Sequence, residues 1–112
     1  MRQRSDGKIV IVPADLFIIL LEKVENGECL LLDVRDPDEF NAEWIAGAKN
    51  VPVDDIRNKP DQLDRDTSLP IYCKVGKRSN RAYDQLIRMG FHDIVVLDGG
   101  IESLKVHSRK MI

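Results

Sequence analysis

Short apolar runs alternate with amphipathic segments along the chain, and this alternation is typical of an α/β protein. The runs are β-branched or continuously apolar, as expected for strands buried on both faces of a parallel sheet. The pattern therefore predicts a three-layer α/β sandwich, in which helices cover both faces of a central, mostly parallel five-stranded sheet. The predicted strands are Lys8–Val12, Cys29–Val34, a short strand within Ala46–Val53, Leu69–Cys73 and Asp93–Leu97.

Start and stop residues bound the predicted helices. Pro13 suits a first helical turn, and Gly27 suits the stop after the first helix. Asp36 and Glu39 are spaced as a capping box, with Pro37 at the first position of a second helix. The predicted helical segments are Pro13–Val24, a short helix from Pro37, a turn or two within Asp54–Asp66, Ser79–Met89 and a short helix after Gly100.

The first helix carries more apolar residues than one core face needs. Ile18 and Ile19 widen its apolar stripe beyond the face that points to the core. Two interpretations stay open: a helix wedged between layers, or a surface for a second copy or another partner. The residues predicted to share the core face are Leu16, Phe17, Leu20, Leu21 and Val24.

Composition bounds the class of protein. A chain of 112 residues suits one domain spanning residues 1–112, and 43% hydrophobic with 32% charged residues is typical of a soluble globular protein. A net charge of −2 gives no overall attraction to nucleic acid. The longest apolar run, Leu16–Leu21, is far shorter than a membrane span. We expect neither a nucleic-acid partner nor a membrane, and a monomer or weak homodimer.

The cysteines and histidines indicate the compartment and exclude common metal sites. No apolar region of a secretory signal follows the charged amino terminus, so we expect a cytoplasmic protein with free thiols rather than a Cys29–Cys73 disulfide. Cys29, Cys73, His92 and His107 lack the close paired spacing of metal ligands, so no metal or other cofactor is expected. Cys29 is interpreted as a packing residue and both histidines as surface residues.

Cys73 is the residue that points to chemistry. It stands at the carboxyl end of a predicted strand, the edge at which α/β sheets bind ligands. Gly76 lets the following turn aim its backbone N–H groups at an anion, beside the positive end of the next helix. Together with nearby cations, this setting favours thiolate over thiol. The predicted catalytic residue is Cys73, and the predicted substrate-binding residues are Lys74, Val75, Gly76, Lys77, Arg78 and Ser79.

The spacing of this loop separates it from two better-known phosphate loops. A Walker A loop fails because Ile71 and Arg78 stand where Gly and Ser/Thr are required. Cysteine-dependent phosphatases have Cys-x5-Arg, whereas here Ser79 falls at the arginine position and the spacing is Cys-x4-Arg. Since neither histidine lies in the loop, the thiolate must attack its substrate without a base. A small anion that carries a transferable sulfur atom fits this smaller cradle.

Four segments carry a family pattern in a fixed order over roughly Val10–Gly100. They are "LLDVRDPDEF" through Asp33, Arg35, Glu39 and Phe40, "IAGAKNVP" through Ile45, Gly47, Ala48, Asn50 and Pro52, "CKVGKRS" from Cys73 to Ser79, and "VLDGG" ending at Gly100. Together they resemble the single-domain rhodanese (thiosulfate sulfurtransferase) family. The resemblance implies a rhodanese-like fold and an active-site loop that begins at Cys73.

The resemblance also implies a sulfur relay. The Cys73 thiolate would take the outer sulfur of thiosulfate, a small anionic donor, and pass it from a persulfide to cyanide, a thiol or a sulfur-carrier acceptor. Backbone N–H groups from Lys74 to Ser79 would stabilise the persulfide anion, and Lys74, Lys77 and Arg78 would attract the donor. Arg35 is expected to form a structural ion pair with Asp33 or Glu39.

The sequence departs from the family pattern at several positions. Glu43-Trp44 replaces the usual Gly-His, Ala46 replaces a proline, and Leu104 replaces a tryptophan after the Gly-Gly pair. The usual Gly-x-Pro ending is also missing. Trp44 is expected either to pack half-buried or to form a wall of the pocket mouth. Two alternative functions stay open: a non-catalytic interaction or regulatory module, and a phosphatase or arsenate reductase.

Overall fold

Ten elements make up the described part of the chain, which in this computed structural model comprises residues 9–58 and 65–110. The strands are β1 (Ile11–Val12), β2 (Leu32–Asp33), β3 (Lys49–Asn50), β4 (Leu69–Tyr72) and β5 (Ile94–Leu97). The helices are α1 (Ala14–Glu25), α2 (Pro37–Ala42), the 3₁₀ helix Val53–Asn58, α3 (Lys77–Arg88) and α4 (Gly100–Lys110). The strands form one sheet in the order β1-β5-β4-β2-β3, and every pairing is parallel.

Two hydrophobic clusters lie on opposite faces of this sheet. Because successive strand residues point to opposite faces, Ile71 joins one cluster and Tyr72 the other. Leu86 of α3 packs in the first cluster, together with residues of the 3₁₀ helix. Phe17 of α1 and Ile101 of α4 pack in the second. The predicted α/β sandwich, with helices on both faces of a parallel sheet, is therefore confirmed.

The strand order places a crevice at the carboxyl ends of β2 and β4. These strands are neighbours, yet the chain leaves β2 toward β3 and leaves β4 toward β5, on the opposite side. Such a switch point is where open α/β sheets bind ligands. Cys73 follows β4 directly, and Arg35 lies just beyond β2. The fold therefore brings the predicted nucleophile to the expected edge of the sheet.

Several predicted boundaries differ from those observed. The strands β2 and β3 have two residues each and are shorter than the segments that predicted them. Helix α3 begins at Lys77, two residues before the predicted start at Ser79. Lys8 and the stretch 59–64 of the predicted helical segment lie outside the described residues. Within the described ranges, no helix is long and apolar enough to cross a bilayer.

Helix α1 lies on the surface rather than between layers. Phe17 is fully buried, whereas Leu16 is 50% exposed and Ile19 is 55% exposed. The prediction that Leu16 belongs to the core face is therefore wrong. A single layer, including α4, covers this side of the sheet, so α1 has only one face to bury.

Candidate active site

Cys73 lies at the bottom of the loop between β4 and α3, with 1% of its surface exposed. The backbone N–H of Gly76 donates to Cys73 Sγ at 3.0 Å, and the backbone N–H of Ser79 donates to the same atom at 3.4 Å. Gly76 reaches this position with a φ of 112°, in the left-handed region that favours glycine. The sulfur is therefore held by two donors at the amino terminus of α3, where an anion is stabilised.

Helix α4 turns the loop's carbonyl groups away from the sulfur. The backbone N–H of Ile101 donates to the carbonyl oxygen of Cys73 at 2.8 Å, and that of Glu102 donates to the carbonyl oxygen of Lys74 at 3.2 Å. These bonds satisfy N–H groups at the start of α4, and two loop carbonyls accept them. The loop thus faces Sγ with donors, while its acceptors point to α4. Sequence reasoning missed this contact, for which the paired glycines at 99 and 100 were the available signal.

Arg78 binds Glu39 across the crevice. Its guanidinium donates to Glu39 Oε1 at 2.6 Å and to Oε2 at 2.9 Å, so the pair is bidentate. Glu39 also accepts the backbone N–H of Asp36 at 3.2 Å, as the predicted capping box requires. Glu39 therefore connects α2 to the amino terminus of α3. Because the carboxylate compensates the charge of Arg78, the part of Arg78 in attracting an anionic donor stays a prediction.

A second ion pair lies deeper, beneath the crevice. Arg35 is 3% exposed, and its Nη2 donates to Asp33 Oδ2 at 2.6 Å. The same nitrogen donates to the carbonyl oxygen of Glu43 at 2.7 Å. The predicted ion pair of Arg35 is confirmed, with Asp33 rather than Glu39 as the partner. Buried charges need such full pairing to be tolerated.

The remaining loop residues border two cavities. Lys74 lines a polar cleft of about 310 Å³ together with Arg35, Glu39 and Glu102. Lys77 lies on another side of the loop, at a cavity of about 200 Å³ that also contains Asp98. Val75 is 53% exposed and lines that second cavity. The two lysines therefore face different cavities, and the polar cleft of Lys74 also contains Glu43 beside Glu39 and Glu102.

Cys29, His92 and His107 lie away from the Cys73 loop. Cys29 forms an isolated bridge with Ser68 near the amino end of β4, and burial raises the pKa of its thiol. Both cysteines are free. His92 lies 3.5 Å from Asp66 with its side chain 39% exposed, and His107 is partly exposed on α4. The predicted surface positions of the histidines are confirmed.

Ser79 contributes more than a backbone donor. It is fully buried, and its hydroxyl oxygen has no hydrogen-bond partner among the described residues. Buried hydroxyl groups nearly always find a partner in native proteins. The Ser79 hydroxyl, in the first turn of α3, is therefore available to a group that binds in the loop.

Glu39→Gln will make the fold less sensitive to acid. Hydrogen bonds from Arg78 lower the pKa of Glu39 from 4.5 to about 2 in the folded chain. A lowered folded pKa means that the carboxylate stabilises the fold above pH ~4.5 and loses this contribution as the pH falls toward 2. Glutamine preserves the capping box but not the charge. We expect a loss of roughly 1 kcal/mol at neutral pH.

Urea unfolding between pH 2 and pH 7 measures this effect. The free energy of unfolding of Glu39→Gln should fall less steeply with acid below pH ~4.5 than that of the wild type. Glu25→Gln, which changes an exposed carboxylate at the end of α1, is the matched control and should retain the wild-type slope. Equal acid slopes in the wild type and Glu39→Gln would contradict the assignment.

Comparison with known proteins adds to this geometry. Residues 19–107 match the family described as the Rhodanese-like domain. Protein YqhL of Bacillus subtilis is 35% identical over 72 residues, which cover 64% of this chain and 57% of YqhL. Thiosulfate sulfurtransferase GlpE of Coxiella burnetii is 29% identical over 86 residues, which cover 77% of this chain and 80% of GlpE.

Solved structures show the same fold. A crystal structure of a rhodanese-related protein from Thermoplasma volcanium matches with a TM-score of 0.73 and 32% identity, covering 88% of this chain and 92% of that chain. The lengths of the relatives differ, since this chain spans little more than half of YqhL, at 57%. The family match spans the Cys73 loop, and the solved structure agrees on the fold.

Proposed function

The chain belongs to the rhodanese-like domain family, and from this premise we propose that it is a sulfurtransferase that carries sulfur from thiosulfate or a related donor on Cys73. The observation that carries the proposal is the pair of backbone N–H groups, from Gly76 and Ser79, aimed at Cys73 Sγ. Such donors stabilise both a thiolate and the persulfide anion that replaces it. The proposed substrate-binding residues are those of the loop, from Lys74 to Ser79.

The proposed reaction has two half-reactions. In the first, the Cys73 thiolate attacks the outer sulfur of thiosulfate, the sulfur–sulfur bond of the donor breaks, and sulfite leaves with the electron pair. The outer sulfur remains on Cys73 as a persulfide anion. In the second, a nucleophilic acceptor attacks that outer sulfur and Cys73 leaves as a thiolate. Neither half-reaction requires a proton at the sulfur, which agrees with a loop that contains donors and no histidine.

Charge and burial support a small anionic donor. The polar cleft contains three glutamates, but each is ion-paired, Glu39 with Arg78 and both Glu43 and Glu102 with Lys105. Lys74 forms no ion pair among the described residues, so its charge is available to an anion, and the cleft volume of about 310 Å³ is at the low end for small-molecule sites. The unpaired Ser79 hydroxyl is suited to donate to the added sulfur. The acceptor would be a thiol or a sulfur carrier. Because both cysteines are free thiols, the proposed compartment is the cytoplasm. The proposed oligomeric state is a monomer or weak homodimer.

Intact-protein mass spectrometry after treatment with thiosulfate tests the proposed function. The wild-type chain should gain the mass of one sulfur atom, and cyanide should remove it. A chain that gains no sulfur from thiosulfate or from inorganic polysulfide would favour a non-catalytic interaction module instead. Hydrolysis of a phosphate ester by the pure protein would favour the phosphatase alternative.

Lys74→Ala will weaken the binding of thiosulfate. Lys74 lines the polar cleft, so its removal takes away attraction for a dianion while the N–H groups at Cys73 remain. An exposed charge pair contributes about 0.2–1 kcal/mol, so KM should rise about 1.4- to fivefold with little change in kcat. Steady-state kinetics at low and high salt measure this, and the difference should shrink as salt screens the charge.

Lys23→Ala is the matched control for net charge. Lys23 lies with Ser68 and Leu69 near the amino end of β4, at the opposite edge of the sheet from Cys73. Its KM for thiosulfate should equal that of the wild type. A KM that is unchanged in Lys74→Ala as well would mean that Lys74 takes no part in binding thiosulfate.

A further inference from the structure

An apolar groove of about 500 Å³ adjoins the polar cleft. Trp44 and Ile45 form one wall of this groove, and Ile101 and Leu104 of α4 form the other. Glu43 borders both the groove and the polar cleft, so the two cavities adjoin at this residue. The volume lies within the range of small-ligand sites, which are lined mainly by apolar side chains.

Hydrogen bonds to two buried residues hold the backbone of the wall that contains Trp44. Arg35 donates to the carbonyl oxygen of Glu43 at 2.7 Å, and the backbone N–H of Ile45 donates to the Tyr72 hydroxyl at 3.1 Å. Both anchors are buried, at 3% exposure for Arg35 and 0% for Tyr72. These bonds hold the backbone on either side of Trp44, whose ring packs against Phe40 with 5.9 Å between centroids and is 57% exposed. A groove with fixed walls binds without the entropic cost of ordering them.

The opposite wall is attached to the catalytic loop. Ile101 lines the groove with its side chain, while its backbone N–H donates to the carbonyl oxygen of Cys73. Between groove and cleft, Lys105 pairs with Glu43 at 2.9 Å and with Glu102 at 3.3 Å. These ion pairs are 40–47% exposed, and exposed pairs of this kind rearrange at little cost. A molecule that spans both cavities can therefore displace them.

We propose that this groove is the acceptor subsite, and that it takes the apolar chain of a low-molecular-weight amphipathic thiol. The inference rests on the proposed function and specifies its second half-reaction. The acceptor enters as a thiolate after its proton has gone to solvent, and it attacks the outer sulfur of the Cys73 persulfide. A bond forms between the sulfur of the acceptor and the outer sulfur of the persulfide. The bond from that outer sulfur to Cys73 Sγ breaks, and its electron pair stays on Sγ.

Two features of this chain select an apolar acceptor over a small polar one. Trp44 and Leu104, two of the positions at which the sequence departs from the family pattern, both line this groove. The charged groups that border it, Glu43 and Lys105, compensate each other. The lining thus offers apolar surface without a net charge, which suits a neutral alkyl chain whose thiol points toward the polar cleft.

A series of ω-mercaptoalkanols, from about three to eight carbons, tests the proposal by varying chain length at nearly constant thiol chemistry. The protein is first loaded on Cys73 with thiosulfate, or with inorganic polysulfide if thiosulfate does not react, and the second half-reaction is then timed. Each buried methylene contributes ~0.8 kcal/mol, so kcat/KM should rise about fourfold per carbon until the groove is filled. A flat series would overturn the proposal, and would leave larger acceptors, such as a carrier protein, as the substrates.

Ser108→Phe fills the groove without removing core contacts, since Ser108 is an exposed residue of its lining. In this variant, kcat/KM should no longer depend on the chain length of the mercaptoalkanol. Val106→Phe adds the same side chain on the same helix, at a residue that is 44% exposed and does not line the groove. It should retain the dependence. A slope that persists in Ser108→Phe would overturn the assignment of the groove.

Binding can be measured apart from sulfur transfer. Trp44 is the single tryptophan of the chain, so its fluorescence reports directly on the groove. Unreactive n-alkanols should shift the Trp44 emission of the unloaded protein at concentrations that fall as the chain lengthens, and this trend should disappear in Ser108→Phe. Loading of Cys73 tests the proposed function, whereas this titration tests the groove, so the two failures are distinguishable.

Discussion

Cys73→Ser will abolish persulfide formation while the fold remains intact. Serine differs from cysteine by one atom, so its oxygen occupies the same place between the Gly76 and Ser79 donors. A hydroxyl group is not ionised at neutral pH and does not attack thiosulfate. Since removing a nucleophile costs an enzyme many orders of magnitude, we expect sulfur transfer to fall at least about 10³-fold. Stability should change by no more than about 1 kcal/mol.

Sulfur transfer to cyanide and the intact mass after thiosulfate measure this effect together. Cys29→Ser is the matched control, because Cys29 is the other free thiol and lies near the amino end of β4. That variant should gain one sulfur atom and turn over as the wild type does. Persulfide formation in Cys73→Ser, or its loss in Cys29→Ser, would show that Cys29 and not Cys73 carries the sulfur.

Gly100→Ala will damage both the fold and the site. A Cβ on Gly100 would lie 2.5 Å from the carbonyl oxygen of Cys73 and closer still to the carbonyl group of Lys74. Backbone atoms occupy this space, so the loop or α4 must move. Gly100 also has a φ of 64°, which adds left-handed strain for alanine. We expect a loss of at least about 3 kcal/mol, or a fall in Tm of roughly 12–24 °C.

Gly27→Ala separates the strain from the clash. Gly27 has a φ of 80°, yet an added Cβ there meets nothing within 4 Å. This variant should lose only about 1 kcal/mol, or roughly 4–8 °C in Tm, and keep its activity. Thermal unfolding followed by circular dichroism, with the rate of persulfide formation on each folded variant, measures both effects. Similar losses in the two variants would show that the contact between α4 and the loop tolerates displacement.

The fold, and the place of the predicted nucleophile in it, could be predicted from the sequence because their signals are local. A continuous apolar run identifies β4, and Cys73 and Gly76 follow it within a few residues. Partners far apart in sequence have no such signal. Glu39 and Arg78 are 39 residues apart, and the pattern around Glu39 indicated only its capping box. Which carboxylate would reach which guanidinium was decided by the crevice between β2 and β4.

The error in α1 has a similar origin. Helical spacing groups Leu16 with Phe17, but it does not tell how wide the covering layer is. With only one layer on that side of the sheet, Phe17 fills the core and Leu16 remains 50% exposed. The start of α3 at Lys77 rather than Ser79 likewise depends on Gly76, whose left-handed φ lets the helix begin directly after it.

The bonds from α4 to the Cys73 loop bear on when the chain becomes reactive during its synthesis. Cys73 leaves the ribosome before Gly100 and Ile101, whose segment later holds the loop by its carbonyl groups. Until α4 docks, those carbonyl groups lack the N–H partners that they have in the folded chain. The arrangement of donors around Sγ is therefore completed late, by the last described helix of the chain. We therefore expect the loop to reach its final conformation only after Glu102 has been made, and not when Cys73 itself leaves the ribosome.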